Sequence, residues 1–213
     1  MTDQYSALPD PKTPHRAHPW HGVSAGEHAP EQVNCYIEIV PTDTVKYELD
    51  KETGLLKVDR PQKFSSLCPT LYGFIPQTYC GHLVAEHCME KTKLKGIDGD
   101  HDPMDICVLT EKTIPRGDIL LSAIPIGGFR MIDGNEADDK IIAVMTGDFV
   151  YGQYKDVSEL PSHVVARLKH YFVTYKEAPN ESSHQVKITH TYGHEEAYEV
   201  IRRSQKDYQT LMS

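Results

Sequence analysis

Residues 98–109 read DGDHDPMDICVL, an acidic run that passes directly into a short apolar one. Asp98, Asp100, Asp102 and Asp105 crowd together there, which costs electrostatic energy unless cations neutralise them. Carboxylate oxygens at this density suit hard divalent ions, Mg²⁺ or Mn²⁺ before zinc, because no set of Cys and His residues beside them completes a soft ligand shell. A calcium-binding helix-loop-helix is the obvious competitor, since Asp98, Asp100 and Asp102 take the first, third and fifth positions of that loop. It fails at the sixth position, which is Pro103 instead of Gly, and at the twelfth, which is Leu109 instead of Glu. On this stretch alone an acidic surface turn between strands stays open.

Outward from this stretch, short apolar runs rich in Ile, Val and Tyr alternate with turn signals from Val33 to Met145. VNCYIEIV, TVKYELD, a DKETG turn and LLKVD read as a hairpin-led antiparallel sheet. LYGFI, MDICVL, DILLSAIPI and KIIAVM follow, each too short for a helix. Strands of this number and length predict a small barrel or sandwich. The period then changes. Val164, Val165, Leu168, Tyr171, Phe172 and Tyr175 follow helical spacing after Pro161, predicting a helix that ends near Lys176. Ala197, Val200, Ile201, Tyr208 and Leu211 form a second stripe, behind the acidic pair Glu195 and Glu196 that suits a helix N-terminus.

The chain has 213 residues, enough for one sizeable domain with a core that needs no disulfide staples. Residues 1–32, rich in Pro, His and polar side chains, read as an arm lying over that domain with Trp20 as its apolar anchor. His15, His18, His21 and His28 are spaced too irregularly for a metal site and are expected in solvent. A formal net charge of -9 argues against nucleic-acid binding. With no long apolar span and no basic-then-apolar leader, a cytoplasmic protein without a membrane partner is expected. The five cysteines, Cys35, Cys68, Cys80, Cys88 and Cys107, read as free thiols. Cys80, His82, His87 and Cys88 match no usual zinc spacing, so a polar loop with buried thiols is the preferred reading there.

A second acidic group lies in MIDGNEADDKIIAV, with Asp133, Glu136, Asp138, Asp139 and Lys140. If a strand begins near Asp138, then Asp138 and Lys140 share one face, and Asp139 points away and is expected to be solvated. In the early hairpin Glu38, Lys46 and Glu48 interrupt apolar alternation, and Arg60 closes the returning strand. Two aspartate clusters with Lys46, Arg60, Lys140 and Lys176 suit a small, highly charged anion held through metals, and phosphoryl chemistry fits that mixture.

GDHDPMDICVL closely resembles the DxDPxD signature of the soluble family I inorganic pyrophosphatases. IEIVPTDTVKYELDKETGLLKVDR is similar to that family's opening hairpin, CPTLYGFIPQTY to its tyrosine segment, IDGNEADDKIIAV to its second aspartate cluster and HYFVTYK to its late helix. The resemblance covers roughly residues 33 to 190, in order. It implies a mainly β fold, an OB-like five-stranded barrel flanked by two C-terminal helices, and Mg²⁺-dependent hydrolysis of pyrophosphate to two phosphates. Several Mg²⁺ per subunit are implied, with Mn²⁺ able to substitute.

Position by position, the resemblance implies metal ligands at Asp100, Asp105, Asp133 and Asp138, with Glu38 near the substrate-borne metal. Asp102 is the implied general base. Lys46, Arg60, Tyr72, Lys140, Tyr175 and Lys176 are the implied substrate contacts, with Glu48 supporting them. Asp98 and Asp139 lie outside the signature, so Asp98→Asn and Asp139→Asn are expected to leave turnover within a few-fold. The stretch from Cys80 to Lys95 is longer than in the compact bacterial form, and the HPWHG arm looks more like the eukaryotic one. A homo-oligomer is implied, with hexamer and dimer both open. The competing readings are a phosphate- or nucleotide-binding module on the same fold, and a hydrolase preferring nucleoside or polyphosphate substrates.

Overall fold

The computed structural model describes residues 16–63, 65–176 and 186–213. Its centre is a closed ring of five strands: β1 (Val33–Ile39), β4 (Leu71–Phe74), β6 (Asp105–Leu109), β9 (Lys140–Met145) and β7 (Ile119–Asp133). Each pairs with the next, and β7 closes the ring on β1 with Val33 opposite Ala123 and Ile37 opposite Ile119. Closure satisfies every strand edge of the ring. This is the five-stranded barrel expected. One pairing of the ring departs from an antiparallel sheet: β6 and β9 run parallel, joined through the long intervening β7. Their register sets Asp105 directly beside Lys140.

The early hairpin also differs from expectation. β2 (Val45–Leu49) and β3 (Leu56–Pro61) form a two-stranded ribbon of their own, and β1 pairs with β4 and β7 instead. The ribbon is tied to the barrel by the Glu38 carboxylate, which accepts a hydrogen bond from the Leu49 amide at 2.6 Å. Short β5 (Asp98–Gly99) and β8 (Glu136–Ala137) extend the sheet beyond the far end of β7, and β10 (Val186–Gly193) pairs along β7.

Both faces of the central strands are buried, which explains why KIIAVM lacks polar alternation. Ile141 and Ala143 pack in one cluster with Val84, Cys88, Ala197, Val200 and Ile201. Ile142 and Val144 pack in another with Leu168, Tyr171 and Phe172. The two expected C-terminal helices are present as α2 (Ser162–Thr174) and α3 (His194–Leu211), and they supply these apolar stripes.

A further helix overturns one expectation. The Cys80 segment is not a polar loop, because α1 (His82–Thr92) occupies it and buries Val84, Ala85, His87 and Cys88. No local side chain caps it; the cap comes from Asp207 on α3, whose carboxylate accepts from the amides of Gly81, Leu83 and Val84. The five thiols are free and buried, as expected. The described part of the arm packs through Trp20, which is buried against Tyr36, Leu49, Phe74 and Tyr208. His28 is exposed, but His18 and His21 are half-buried rather than solvated. His21 stacks on Trp20 with ring centroids 4.4 Å apart and shares a 2.8 Å hydrogen bond with the Tyr208 hydroxyl. His15 lies outside the described residues.

Candidate active site

Strand ends and two loops converge on one cavity of about 160 Å³. Asp100, Asp102 and Asp105 reach it from the β5–β6 connection, Asp133 from the end of β7, and Asp138 and Lys140 from the start of β9. Glu38 comes from β1, Lys46 and Glu48 from β2, Tyr72 from β4, and Tyr175 and Lys176 from the end of α2. Of the residues to which the resemblance gave a metal, base or substrate role, Arg60 alone does not line it, and Asp98 and Asp139, left outside that set, do not line it either. Arg60 sits opposite Lys46 on the ribbon and pairs with Asp59, whose carboxylate also holds the Lys46 ammonium at 3.0 Å.

Charge is arranged in alternation. The Lys140 ammonium contacts both Asp105 and Asp138, and it lies 5.9 Å from the Tyr72 and Phe172 ring centroids. The Tyr72 hydroxyl donates to Asp105 at 2.6 Å. Lys176 pairs with Asp133. Asp138 and Lys140 therefore act on one side, as strand parity predicts. Burial raises the Asp100 carboxyl well above the usual range, and the neighbouring Asp138 adds to that. Burial likewise pushes Glu38 up to about 8, against the pull of the Leu49 amide. Buried carboxyls held this way favour a nearby cation.

The donor set fits hard divalent ions. It is made of carboxylate oxygens, it is buried at Glu38 and Asp138 and half-buried at Asp100, Asp105 and Asp133, and its crowding is of the kind that a divalent cation relieves. Among the described residues no three ligating side chains stand ready at coordinating distance; the lysines hold the carboxylates between them.

Three features escaped the sequence reading. Asp139 does point away from Lys140, but it is only 2% exposed instead of solvated. It accepts from Arg130 Nη2 and from the Tyr192 hydroxyl, both at 3.0 Å, and Arg130 donates in turn to Glu196 at 2.9 Å. The far side of β9 is covered by β10 and α3, so parity gives the direction of Asp139 but not what waits there. Glu136 lines the cavity although no role was read for it. Lys51, in the ribbon turn, pairs with Asp102 and donates to the His101 carbonyl at 3.3 Å. Only the charge of the DKETG turn could have signalled it.

A family model for inorganic pyrophosphatase matches residues 35–209. The chain belongs to the inorganic pyrophosphatase family. It is accordingly an enzyme of the inorganic diphosphatase class. An inorganic pyrophosphatase of Chlamydia trachomatis is 53% identical over 199 residues, covering 92% of this chain and 95% of that one. A soluble inorganic pyrophosphatase of Arabidopsis thaliana is 39% identical over 192 residues, covering 90% and 79%. Among solved structures, the Thermus thermophilus inorganic pyrophosphatase superposes with a TM-score of 0.76 at 26% identity, covering 91% of this chain and 99% of that one. The pyrophosphatase match takes in every residue that lines the cavity and leaves out the arm that carries Trp20.

Proposed function

We propose that this chain hydrolyses inorganic pyrophosphate to two phosphates with Mg²⁺, by in-line attack of a water on one phosphorus. The observation that carries this reading is the convergence of eight carboxyl groups with Lys46, Lys140, Lys176, Tyr72 and Tyr175 around one cavity, in a chain of this family. Asp100, Asp105, Asp133 and Asp138 would hold the cations, with Glu38 at the edge of the substrate. When bound, divalent cations neutralise phosphate oxygens and make a water more acidic.

The chain's own residues do the remaining work. Asp102 orients the attacking water and takes its proton; its backbone is set by its own amide donating to Asp100 Oδ1 at 3.0 Å and its carbonyl accepting from the Cys80 amide at 2.8 Å. Lys46, Lys140 and Lys176 bind phosphate oxygens by exchanging their carboxylate partners for the substrate. Tyr72 and Tyr175 donate hydroxyl protons to the same anion. Glu48, 3.7 Å from Lys46, keeps that ammonium in place, and Arg60 joins at the rim from across the ribbon. The substitution of Mn²⁺ for Mg²⁺ follows from the oxygen donor set.

The chain is read as one domain with residues 1–32 as an arm upon it, working in the cytoplasm as a homo-oligomer, hexamer or dimer; light scattering distinguishes these, and a stable monomer would count against both. No described helix is long and apolar enough to cross a membrane. The test is phosphate release from pyrophosphate with Mg²⁺, with EDTA, and by Asp102→Asn. Fast release is expected only with the metal and with Asp102 intact, the variant losing orders of magnitude in kcat at an unchanged melting temperature. Binding of metal and pyrophosphate without release by the native protein would refute hydrolysis.

A further inference from the structure

The loop that carries Asp100, Asp102 and Asp105 has almost no structure of its own, yet its placement is closely determined. Segment 75–81 runs alongside it and takes its backbone bonds in turn. The Ile75 amide donates to the Met104 carbonyl at 2.9 Å, the Met104 amide to Thr78 Oγ1 at 2.9 Å, the Cys80 amide to the Asp102 carbonyl at 2.8 Å, and the His101 amide to the Cys80 carbonyl at 3.1 Å. His101 sits at φ 62, a left-handed conformation costly for a residue with a Cβ, and its ring is held by the Tyr79 hydroxyl at 2.6 Å. The approach is so close at Gly99 that a Cβ there would fall 2.1 Å from the Cys80 carbonyl oxygen.

Segment 75–81 needs an anchor of its own, and α3 supplies it. The Tyr79 amide donates to the Ser204 carbonyl at 2.9 Å. Two residues on, Asp207 accepts from Gly81 at 3.1 Å, Leu83 at 3.0 Å and Val84 at 3.1 Å, satisfying three amides at the start of α1 that the helix itself leaves orphaned. Asp207 is only 6% exposed, so water cannot readily replace it. Cys80 thus lies between Asp207, which fixes the residue after it, and the aspartate loop, which it grips through both its amide and its carbonyl.

We infer that Asp207 is a positioning residue for the cation site: from the last helix it fixes Gly81 and the start of α1, and through Cys80 it sets the backbone of Asp100 to Asp105. The inference rests on the reading of Asp100 and Asp105 as cation ligands. It assigns α1 a task beyond packing, since the helix is the stop against which the aspartate loop is set.

The test reads metal binding and amide exchange, neither of which needs turnover. Mn²⁺ is titrated calorimetrically into the native protein, Asp207→Asn, Asp207→Ala and Asp100→Asn, and hydrogen exchange is followed by mass spectrometry. Outer partners of metal ligands typically hold 10- to 100-fold of affinity, and a residue one step further out is expected at the low end, about 10-fold weaker Mn²⁺ binding in Asp207→Ala. Asn keeps one acceptor oxygen and loses the other, so Asp207→Asn should fall between. Exchange should quicken in peptides covering 98–104 as well as 81–93.

If Asp207→Ala does not fold, the native protein still decides the matter. Coupling is reciprocal, so saturating Mn²⁺ should slow exchange at 79–84 along with 98–105. Faster exchange confined to α1, with Mn²⁺ affinity within two-fold of native, or a Mn²⁺ response confined to 98–105, would overturn the inference. If Asp100→Asn also binds Mn²⁺ as the native protein does, what fails is the cation-site reading beneath it.

Discussion

Replacing Asp139 by Ala removes one half of an ion pair whose arginine is 1% exposed. The carboxylate now meets Arg130 Nε at 3.2 and 3.3 Å and Nη2 at 3.0 Å, and it also accepts the Tyr192 hydroxyl. Breaking a buried pair from one side costs about 3–5 kcal/mol, because the remaining charge is left in a poor solvent. Arg130 retains Glu196 at 2.9 Å and the Tyr192 ring at 5.2 Å, which places the cost near the lower end, about 3 kcal/mol. For a chain of this size each kcal/mol moves the melting temperature by about 2–4 °C, so a fall of about 6–12 °C is expected. Calorimetric melts at one protein concentration measure it, with turnover at 25 °C recorded alongside. Turnover should stay within a few-fold, since Asp139 lies on the opposite side of the chain from Asp138 and Lys140. Asp98→Asn, at an exposed position, should melt as the native protein does. Combining Arg130→Met with Asp139→Leu should recover much of the loss, as apolar replacement of a buried pair commonly does. An Asp139→Ala melt within 2 °C of native would refute the reasoning, showing that the buried pair contributes little to stability.

Gly73→Ala should prevent assembly of the barrel or lower its melting temperature steeply, because the added Cβ would stand 1.9 Å from the Tyr36 carbonyl oxygen across the β1–β4 pair; soluble, native-like protein would show that the pair has room to part. His87, buried with its ring nitrogens 3.5 Å from Glu90 and Glu196, is held below the ordinary histidine range by burial first and then by Arg130 and Arg203. Its unfolded form therefore binds a proton before the folded form does, so stability is complete above about pH 6.5 and is lost as pH falls, by at most about 1.4 kcal/mol per pH unit. Melts of His87→Gln should show a flatter decline from pH 7 to 5, and parallel curves would exclude His87 as the source. Mg²⁺ at about 100 times its dissociation constant should add about 2.7 kcal/mol of stability, visible as a raised melting temperature that EDTA reverses; a larger effect and faster turnover with Zn²⁺ would show that the ligand chemistry was misread.

The parts legible in the sequence are those whose physics is local. KIIAVM reads as a strand because both its faces are buried, and the placement of Asp138 and Lys140 on one side follows from pleating alone. The stripes of α2 and α3 repeat at helical spacing and start at Pro161 and at Glu195 and Glu196. What stayed hidden depends on partners distant in the chain. α1 lacks a strong apolar stripe and any cap of its own, and the residue that caps it lies more than 120 positions away. Asp139 is close in sequence to Arg130, but its burial depends on Tyr192 and Glu196, which arrive from β10 and α3. The parallel pairing of β6 with β9 likewise follows from how β7 crosses the barrel, which no single run of residues encodes.

Eight carboxyl groups and three ammonium groups line one small cavity, and the proposed substrate is itself an anion. At about 4 Å, two like charges in a protein-like environment repel by about 4 kcal/mol, so the cavity could not accept pyrophosphate on its lysines alone. The same lysines are already engaged: Lys140 with Asp105 and Asp138, Lys176 with Asp133, Lys46 with Asp59. Lys140 and Lys176 can turn to a phosphate oxygen only if another cation takes over their carboxylates, whereas Asp59, outside the cavity, keeps Arg60 when Lys46 turns away. Asp105, Asp133 and Asp138 would hold divalent ions that meet that requirement, leaving the ammonium groups of Lys140 and Lys176 to the substrate. Cation dependence is then more than a matter of activating water. In the proposed reaction it is the electrostatic condition for substrate binding, and it would account for how a chain with a net charge of -9 acts on one of the most highly charged small anions.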